Sequence, residues 1–593
     1  MEKKTKQFNR LFLIIALGIF VAIAAFNGLT DPFNVFGDPL FRWYGYDYTQ
    51  NPRTAKITYL KTHQEEKQYK NFIVGASGAS SIPLDKLKAY TGKDYYNVFH
   101  YGADLYDTEK TVAFLVKNYP VESIIMPLAI PSATKYHENN RDLNYLLHPD
   151  VSGENKFTFY KNYLFANPRY GADKIAAKKE DSYIPKNFDV FHEDGSYDKR
   201  VRDVEYMGSS EEYMKNQHFD IPAEKIPLSS QDEAIAAIGR IKSMCDENHI
   251  PITFLLTPMY AGQNARYDKE EVDAYYKKLA ETVDFWDFTN TPLEKDPRFF
   301  YDPSHFRNAM GAMMLDKIYK GEGNYGKFIA KGRVEKAAAQ APEVLERSYY
   351  IFAFHHLADE GDGLYTVSPA RFEEFLQYLK DEGIQTVHFK DLMNFVEGKG
   401  DLPEKFALIT FDDGYDSNLK LAYPLLKKYN QVATIFPIGK TMGMDTYPGT
   451  DKPMKRHFSP EEAIAASDVF EYGSHSYFFH QTQKVEGSTF RENMGRLKGE
   501  DEEHFMAAFK ADDARFKVVY EKFNDHAPYA FAYPQGIHDD LTEVLLTEAG
   551  YKVSVTSEEG KNYTVKYLPE TLRRLKRVNV SDSLDLHSLN PQK

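Results

Sequence analysis

The amino-acid sequence predicts an α/β protein with two large domains behind an N-terminal apolar helix. A chain of 593 residues is too long for one ordinary hydrophobic core. Short β-prone runs alternate with helical stretches through most of it, which is typical of parallel sheets covered by helices. An uninterrupted apolar run near the N-terminus reaches the lower limit for a membrane-spanning helix, on the order of 17 residues.

The charge balance argues against a nucleic-acid-binding protein, and the cysteine count excludes a protein stabilised by intramolecular disulfides. The formal net charge of -14 argues against nucleic-acid binding, because phosphate recognition needs a basic face. Cys245 is the single cysteine, so no intramolecular disulfide can form. In an exported protein this absence favours an envelope that makes little use of disulfides, as in many Gram-positive bacteria.

The N-terminal segment carries an export signal. Positive charge before an apolar run predicts an N-terminus inside the cell and the remainder outside. Ala22-Ile23-Ala24 offers a cleavage pattern, so a removed signal peptide is an alternative. We favour an uncleaved anchor over residues 1–28, because the chain stays apolar through Phe26 without a polar cleavage region. The basic residues and the run that they precede are Lys3, Lys4, Lys6, Arg10 and Leu11 to Phe26.

The first domain is expected to cover residues 29–325 and to contain a parallel sheet with helices on both faces. Ligands of such sheets bind beyond the carboxyl ends of the strands. The predicted strands are Asn71 to Val74, Tyr95 to Phe99, Ser123 to Met126, Ile252 to Thr257 and Phe285 to Phe288.

Two segments of this domain indicate nucleophilic catalysis. Small residues from Ile73 to Ser81 permit a tight strand-to-helix turn that would expose Ser77. Asp302 precedes His305 by three positions, so its carboxylate could orient the imidazole. That imidazole could in turn deprotonate a serine brought close by the fold.

With Asp31-Pro32-Phe33 and Thr257-Pro258, these segments resemble the SGNH or GDSL hydrolase superfamily. The resemblance is closest to its membrane-anchored branch, which includes the teichoic-acid D-alanylation protein and the alginate acetylation proteins. It implies a three-layer α/β/α fold in which Ser77 is the nucleophile, His305 the base and Asp302 its orienting partner.

The sequence departs from the pattern of that superfamily around the nucleophile. Ala76 and Gly78 replace the usual acidic or serine residue and the frequent arginine. A clear glycine-x-asparagine block for the oxyanion hole is missing, which leaves Asn97 and Gly102 as candidate donors. Two alternatives stay open: a glycine-serine turn with an unrelated Asp-His pair, or an inherited fold that has lost activity.

A linker is expected at residues 326–346, followed by a second domain at 347–593. The alternation of strands and helices stops there, and Ala, Glu and Lys favour a short helix that Pro342 ends. In the second domain, the apolar run Leu408 to Phe411 ends in Asp412 and Asp413. Two adjacent carboxylates suit metal-assisted hydrolysis, one as ligand and one as base, although an Asp-Asp-Gly turn is usually only a turn.

Two later segments complete this pattern. His475 and His480, together with Asp413, provide the Asp, His, His set of a catalytic zinc-type site with open positions for water and substrate. The same ligands suit cobalt or nickel almost equally. A strand end at Phe531 to Gly536 would aim the Tyr533 backbone N–H at a developing oxyanion.

Residues 350 to about 580 resemble polysaccharide deacetylases of carbohydrate esterase family four, and within it the branch that acts on poly-N-acetylglucosamine. The resemblance implies an irregular (β/α) barrel with a divalent metal, foremost Zn²⁺, on Asp413, His475 and His480. It makes Asp412 the base and the Tyr533 N–H the oxyanion donor.

The family's late histidine has no counterpart near residues 572–580, so His355 becomes the preferred general acid. Arg574 is a candidate for holding Asp412 in place, although a surface role is equally consistent with the sequence.

These features predict a single-pass membrane protein whose extracellular domains N-deacetylate an amino-sugar exopolysaccharide. The first domain would edit O-acyl groups as an esterase or transferase, or help to hold the polymer. Expected partners are the polysaccharide, the membrane, and a polysaccharide synthase or acyltransferase in that membrane. The alternatives are deacetylation of peptidoglycan or another hexosamine polymer, and a non-catalytic polymer-binding or assembly protein.

Overall fold

The chain forms two compact units in the computed structural model. The N-terminal unit comprises Met1–Lys199 and Met214–Glu343, and the C-terminal unit comprises Arg200–Tyr213 and Val344–Lys593. The short segment Arg200–Tyr213, which lies within the predicted first domain, thus groups with the C-terminal unit. The structure describes residues 2–41, 46–47, 51–137, 142–179, 183–184, 191–217, 219–323, 325–333, 343–359 and 363–586.

The first helix, Glu2–Thr30, contains the predicted apolar run. Its segment Lys4–Thr30 is long and apolar enough to cross a membrane, with a mean hydropathy of 2.5 in its most apolar window. Asp31 ends the helix because its φ is 41°, and its carboxylate then accepts the backbone N–H groups of Val35, Phe36 and Asp38. The helix therefore leads directly into folded structure of the N-terminal unit.

A six-stranded sheet forms the centre of the N-terminal unit, and five of its strands are parallel, as predicted. The sixth strand pairs antiparallel at one edge. It lies within the predicted linker, 326–346, so that part of the linker prediction is wrong; residues 334–342 of the segment lie outside the described residues. In spatial order the strands are Lys327–Ile329, Phe285–Asp287, Ile252–Leu256, Ser123–Leu128, Asn71–Ile73 and Tyr95–Asn97.

Both faces of this sheet are covered. Phe72 and Ile124 on one face and Ile73 and Ile125 on the other are all at most 3% exposed. A parallel sheet buried on both sides needs a helical layer on each, which is the expected α/β/α layering. The longer helices of the unit are Pro52–Lys67, Leu84–Thr91, Leu105–Asn118, Lys156–Leu164, Arg169–Lys179, Gln231–Glu247, Lys269–Thr282 and Asn308–Lys320.

The C-terminal unit contains a closed ring of mostly parallel strands. The segment Glu346–Phe354 pairs in parallel with Phe406–Asp413, which continues the sheet through Ala433–Pro437 to Phe470–Tyr472. A parallel strand pair follows, Ala530–Ala532 with Val553–Val555, and Val578–Asn579 returns to the first strand.

Two isolated parallel bridges close the ring, one from Ser474 to Phe531 and the other from Val555 to Leu575. This arrangement agrees with the irregular barrel that the resemblance implies. Two shorter strands flank the ring, Gln385–Thr386 in parallel with Phe406–Asp413 and Asn562–Val565 antiparallel to Glu346–Phe354.

Helices pack around this ring. Ser368 caps the first of them by accepting the Arg371 N–H, and Pro369 occupies its first turn. Phe375 of that helix packs edge-on against Phe352 and Phe354 of the first barrel strand. The helices are Pro369–Asp381, Phe389–Val396, Tyr423–Tyr429, Pro460–Ala465, Glu502–Tyr520 and Asp540–Glu548.

Candidate active sites

Asp412 and Asp413 end the barrel strand Phe406–Asp413, all of whose residues are buried. Side chains alternate along a strand, so adjacent carboxylates would normally face opposite sides. Asp413 breaks this alternation because its φ is 70°, and Gly414 continues the turn with φ 87°. A Cβ atom on Gly414 would lie 2.9 Å from the Pro437 Cβ, so glycine is required there. Both carboxylates therefore line one cavity.

The structure brings Asp413, His475 and His480 together. Asp413 Oδ1 lies 3.7 Å from His475 Nε2 and 3.5 Å from His480 Nε2. The Nδ1 atoms of the two rings contact backbone carbonyls, at 2.8 Å for His475 with Ala532 and at 3.2 Å for His480 with Glu492. These contacts fix each ring with Nε2 directed at the carboxylate, as in histidines that bind metals.

This donor set fits a divalent cation. Asp413 Oδ1 is buried and has no hydrogen-bond partner among the described residues, which is costly unless a cation or water satisfies it. Burial lowers the pKa of His475 to about 4, so the ring is neutral at neutral pH, as a ligand must be. Burial alone would raise the pKa of Asp413, but His480 and His475 lower it below its usual value. One carboxylate oxygen and two imidazole nitrogens suit Zn²⁺, Co²⁺ or Ni²⁺.

Arg577, and not Arg574, holds Asp412. Arg577 Nη1 and Nη2 donate to the two carboxylate oxygens at 2.7 and 2.8 Å. Arg574 instead donates to Asp540 at 2.6 Å. Arg574 has a φ of 54°, so the backbone turns there instead of continuing as a regular strand, and the two side chains reach different partners. The prediction for Arg574 is therefore wrong.

The same pair determines the charge of Asp412. Burial would raise the pKa of this carboxyl, but the Arg577 charge and, to a lesser extent, His475 hold it well below its usual range. Asp412 is therefore ionised at neutral pH and has no proton of its own to lose before it accepts one.

His355 lies beside Asp412. Its Nε2 is 3.9 Å from Asp412 Oδ2, and its side chain remains partly exposed in the cavity. His356, the next residue, contacts Ser417 Oγ through Nδ1 at 2.9 Å. The structure thus directs the two neighbouring histidines to different partners, and His355 is the one near the carboxylate pair.

The expected role of the Tyr533 backbone N–H is contradicted. This N–H donates to the Val555 carbonyl at 3.1 Å, because Tyr533 extends the pairing of Ala530–Ala532 with Val553–Val555. Its buried hydroxyl donates to Glu543 at 2.7 Å. Gln535 is the nearest later residue with a backbone N–H, since Pro534 has none; it has φ 56° and lines the cavity. The Tyr-Pro-Gln-Gly turn in the sequence indicates Gln535 as a backbone donor, because the proline before it has no N–H group.

The cavity around these residues has a volume of about 990 Å³. This lies near the upper end of the range for ligand pockets, about 300–1,000 Å³. Exposed Leu364 and Tyr365 line it together with Lys455 and Asp585. The Tyr365 ring meets His355 edge-on, 5.1 Å between centroids. A broad cavity with an aromatic side chain beside the polar centre can accommodate a sugar polymer.

In the N-terminal unit, Ser77, His305 and Asp302 form a hydrogen-bonded chain. Ser77 Oγ lies 2.7 Å from His305 Nε2, and His305 Nδ1 lies 2.8 Å from both Asp302 carboxylate oxygens. This is the hydrogen-bond pattern of a serine–histidine–aspartate triad. His305 and Asp302 remain partly exposed, so solvent reaches the group.

Local geometry explains how the three residues meet. The strand Asn71–Ile73 ends in a tight turn at Gly75, whose φ is 141° and whose added Cβ would lie 3.0 Å from the Pro127 carbonyl oxygen. Ser77 then opens a short 3₁₀ helix, Ser77–Ser81. Asp302 Oδ1 also accepts the His305 backbone N–H at 3.2 Å, which fixes the Asp-Pro-Ser-His turn.

Asn97, one of the two candidate oxyanion donors of this unit, has another role. The Asn97 side-chain amide donates to the Ala79 carbonyl at 2.9 Å, and its oxygen accepts the Phe99 N–H. Gly102 has φ 55° and lies near Arg53. The prediction for Asn97 is wrong because its amide is already used, and the role of Gly102 stays a prediction.

Residues 399–554 match the family model described as polysaccharide deacetylase. The chain is 30% identical over 206 residues to YxkH of Bacillus subtilis, which is named for the polysaccharide deacetylases; the match covers 35% of this chain and 63% of that relative. It is 24% identical over 211 residues to a poly-beta-1,6-N-acetyl-D-glucosamine N-deacetylase of Staphylococcus aureus, over 35% of this chain and 68% of the relative.

Two solved structures are also similar. The de-N-acetylase from Aggregatibacter actinomycetemcomitans has a TM-score of 0.35 at 18% identity and covers 41% of this chain and 98% of its own. IcaB from Ammonifex degensii has a TM-score of 0.31 at 22% identity, over 40% of this chain and 93% of its own. Together with the family match, the site places a polysaccharide deacetylase domain in the C-terminal unit of this chain.

Proposed function

We propose that the C-terminal unit is a metal-dependent N-deacetylase of an extracellular amino-sugar polysaccharide of the poly-N-acetylglucosamine type. The observation that carries this proposal is the cluster of Asp413, His475 and His480 beside the ionised Asp412 in one cavity. The activity named for the Staphylococcus aureus relative supports the choice of polymer.

Asp413, His475 and His480 would hold the metal through three protein atoms that lie within 4.8 Å of one another. A bound divalent ion supplies Lewis acidity, which polarises the N-acetyl carbonyl and makes water more acidic. The remaining chemistry belongs to side chains of this chain.

Asp412 would accept the proton of the attacking water, since Arg577 keeps its carboxylate ionised. His355, 3.9 Å from Asp412, would donate a proton to the amine nitrogen as the carbon–nitrogen bond breaks. Gln535 replaces Tyr533 as the candidate backbone donor to the oxyanion, because the Tyr533 N–H is already used. The products are acetate and a free amine on the sugar.

The deciding experiment measures acetate release and metal content of the full-length protein. Poly-N-acetylglucosamine oligomers, chitin oligomers and peptidoglycan fragments serve as substrates in parallel. We expect metal-dependent release that is fastest on the first. Fastest release from peptidoglycan would favour the alternative substrate, and binding without release from any of them would favour a non-catalytic polymer-binding protein.

We also propose that the helix Glu2–Thr30 anchors the protein in the cell membrane with both units outside. A membrane polysaccharide synthase would then deliver polymer beside the cavity, and an acyltransferase would be a natural partner of the N-terminal unit. Protease protection of intact cells, with epitope tags at both termini, tests this orientation: cleavage that spares the C-terminal tag would contradict it.

A second activity is proposed for the N-terminal unit, hydrolysis or transfer of O-acyl esters on the polymer by an SGNH-type site. The 2.7 Å contact between Ser77 Oγ and His305 Nε2 carries it. The Ser77 hydroxyl would give its proton to His305 and attack the ester carbonyl, the alcohol would leave with that proton, and water or a polymer hydroxyl would then take the acyl group.

Labelling with a fluorophosphonate probe tests this second activity without knowledge of the substrate. We expect the full-length protein to be labelled and Ser77→Ala to be unlabelled. The neighbouring Ser80→Ala is the matched control and should label normally. An unlabelled wild-type protein would favour an inherited fold that has lost activity.

A further inference from the structure

The connection between two helices of the N-terminal unit contacts the first helix far from Thr30, the C-terminal end of that helix. This helix connection, residues Phe165–Pro168, joins Lys156–Leu164 to Arg169–Lys179. Phe165 packs edge-on against Phe20, with ring centroids 5.7 Å apart. The helix connection therefore reaches deep along the first helix.

Hydrogen bonds and close packing hold the helix connection and its neighbouring helix against the first helix. The Asn27 side-chain amide donates to the backbone carbonyls of Leu164 at 3.0 Å and Ala166 at 2.8 Å. Gly171 of the following helix is so close that an added Cβ would lie 2.5 Å from Thr30 Oγ1 and 2.7 Å from the Phe26 ring. The two helices and the connection between them are thus fixed against the segment from Phe20 to Thr30.

The rise per residue of an α-helix gives the depth of Phe165 relative to the outer surface of the membrane. Phe20 lies ten residues before Thr30, about 15 Å along the axis at about 1.5 Å per residue. If the bilayer ended short of Phe165, only about 15 Å of apolar helix, Leu11 to Phe20, would lie in lipid. That is about half of the roughly 30 Å hydrocarbon thickness. A helix that spans the membrane at all must therefore carry Phe165 below the outer surface.

The chemistry of the helix connection suits this position. Phe165 exposes 46% of its surface although it is apolar. The carbonyl groups beside it are satisfied by Asn27, as an apolar medium demands of backbone polar groups. The long Arg169 side chain, 82% exposed, begins the next helix and can extend to lipid phosphates.

We propose that the helix connection dips into the outer leaflet, with Phe165 among the lipid acyl chains. The N-terminal unit would then contact the bilayer at two points, through the spanning helix and through the helix connection. The second contact would prevent free rotation of the unit about the spanning helix. This inference rests on the proposed membrane anchoring of the first helix.

Site-directed spin labelling of the full-length protein in proteoliposomes tests the proposal. The buried Cys245 is first replaced by alanine, and single cysteines are then introduced at Phe165 or Asn167 of the helix connection. Val21→Cys on the exposed face of the first helix is the lipid reference. Phe328→Cys, an exposed phenylalanine on the edge strand of the same unit, is the matched aqueous control. The readout compares collisions with oxygen, which enriches in lipid, and with a water-soluble nickel chelate.

We expect the ratio of oxygen to nickel accessibility at Phe165 to approach the value at Val21 and to exceed that at Phe328. The ratio at Asn167 should lie between them, which keeps the test open if the Phe165 variant folds poorly. A lipid-like value at Val21 with water-like values at both Phe165 and Asn167 would overturn the proposal. A water-like value at Val21 itself would instead refute the anchoring on which it rests.

Discussion

Arg577 donates one N–H group to each carboxylate oxygen of Asp412, and both side chains are only 4% exposed. This bidentate ion pair fixes the position of the carboxylate and keeps it ionised. It also separates the roles of the two adjacent aspartates, because Asp413 has no such partner and faces the two histidines.

Replacing Arg577 by glutamine should therefore change the pH dependence of deacetylation. The pKa of Asp412 is lowered in the folded protein, so its base form persists to low pH. Without the guanidinium only the nearby histidines oppose the effect of burial, so the pKa rises and activity disappears at a higher pH as the solution is acidified. Loss of a buried ion-pair partner also costs about 3–5 kcal/mol of stability. The pH–rate profile and thermal unfolding measure the two effects.

Arg577→Lys keeps the charge and is the second variant if the glutamine variant folds poorly; its acidic limb should shift less. Arg574→Gln, which loses a contact with Asp540, is the control and should leave the acidic limb unchanged. An unchanged limb in both Arg577 variants would contradict the assignment of Asp412 as the base.

Metal content should distinguish the two aspartates. Asp413→Asn removes a carboxylate ligand and should lose metal together with activity. Asp412→Asn should retain the metal measured by elemental analysis and lose turnover by about 100- to 10,000-fold, the usual contribution of a general base. Equal metal loss in the two variants would mean that both carboxylates are ligands.

His355→Gln should lower the rate of deacetylation by a similar factor, about 100- to 10,000-fold, at unchanged metal content. His356→Gln is the matched control, since that ring contacts Ser417 instead of the carboxylate pair. A sugar substrate whose leaving group is less basic should partly restore the His355 variant, because such a group needs less help from an acid. If His356→Gln proved the more damaging change, the general acid would be misassigned.

Asp512 positions the loop that carries His475 and His480, the two proposed histidine ligands. Its carboxylate accepts the backbone N–H groups of Tyr477 at 2.7 Å and Phe478 at 2.8 Å. In Asp512→Asn one of these acceptors becomes a donor, so we expect metal affinity to fall by about 10- to 100-fold, as for other groups that orient ligands. Asp513→Asn alters the adjacent carboxylate, which contacts Lys517 and Tyr551, and should leave the affinity unchanged. Competition with a chelator measures both.

The same carboxyl should influence stability. Burial raises the pKa of Asp512 from 3.8 to about 7, so the folded protein holds a proton that the unfolded chain has released. The free energy of unfolding therefore falls as pH rises from about 4 to about 7. Asp512→Asn removes this contribution, and its unfolding temperature should change less across that window than that of wild type. An identical change in both proteins would contradict the raised pKa.

The serine site should be independent of metal. Chelation with EDTA should abolish deacetylation and leave fluorophosphonate labelling of Ser77 intact. Asp302→Asn should slow labelling by up to about 10,000-fold, because the asparagine cannot hold the His305 tautomer that accepts the serine proton. Deacetylase activity of Asp302→Asn serves as the control and should match wild type. Labelling that disappears with the metal would show that the probe does not report on Ser77.

Local sequence patterns predict much of the fold and of the candidate site. The five β-prone runs of the first unit all became strands, since a buried parallel strand is recognisable from its own residues. Asp413 ends one strand, and His475 and His480 lie in the loop after another, so the acidic strand end and the later histidine pair together predict the cluster.

The remaining predictions depended on pairing between distant segments, which a single sequence does not reveal. The sequence predicts that the Tyr533 N–H points into the cavity, but pairing with Val555 uses it. Arg574 and Arg577 are equally plausible by composition, and only their contacts in the folded protein, with Asp540 and with Asp412, separate them. The edge strand Lys327–Ile329 was hidden for the same reason, because its partner Phe285–Asp287 lies about forty residues earlier.

The two bridges that close the barrel have a consequence for how the deacetylase site is assembled. Asp412 and Asp413 belong to the continuous run of paired strands, whereas His475 follows the bridge at Ser474 and Arg577 follows the bridge at Leu575. The small strand pair Ala530–Ala532 and Val553–Val555 lies between these two joints. The residues of the site thus lie on both sides of each bridge. All of its side chains are brought together only when both bridges have formed and the barrel is closed.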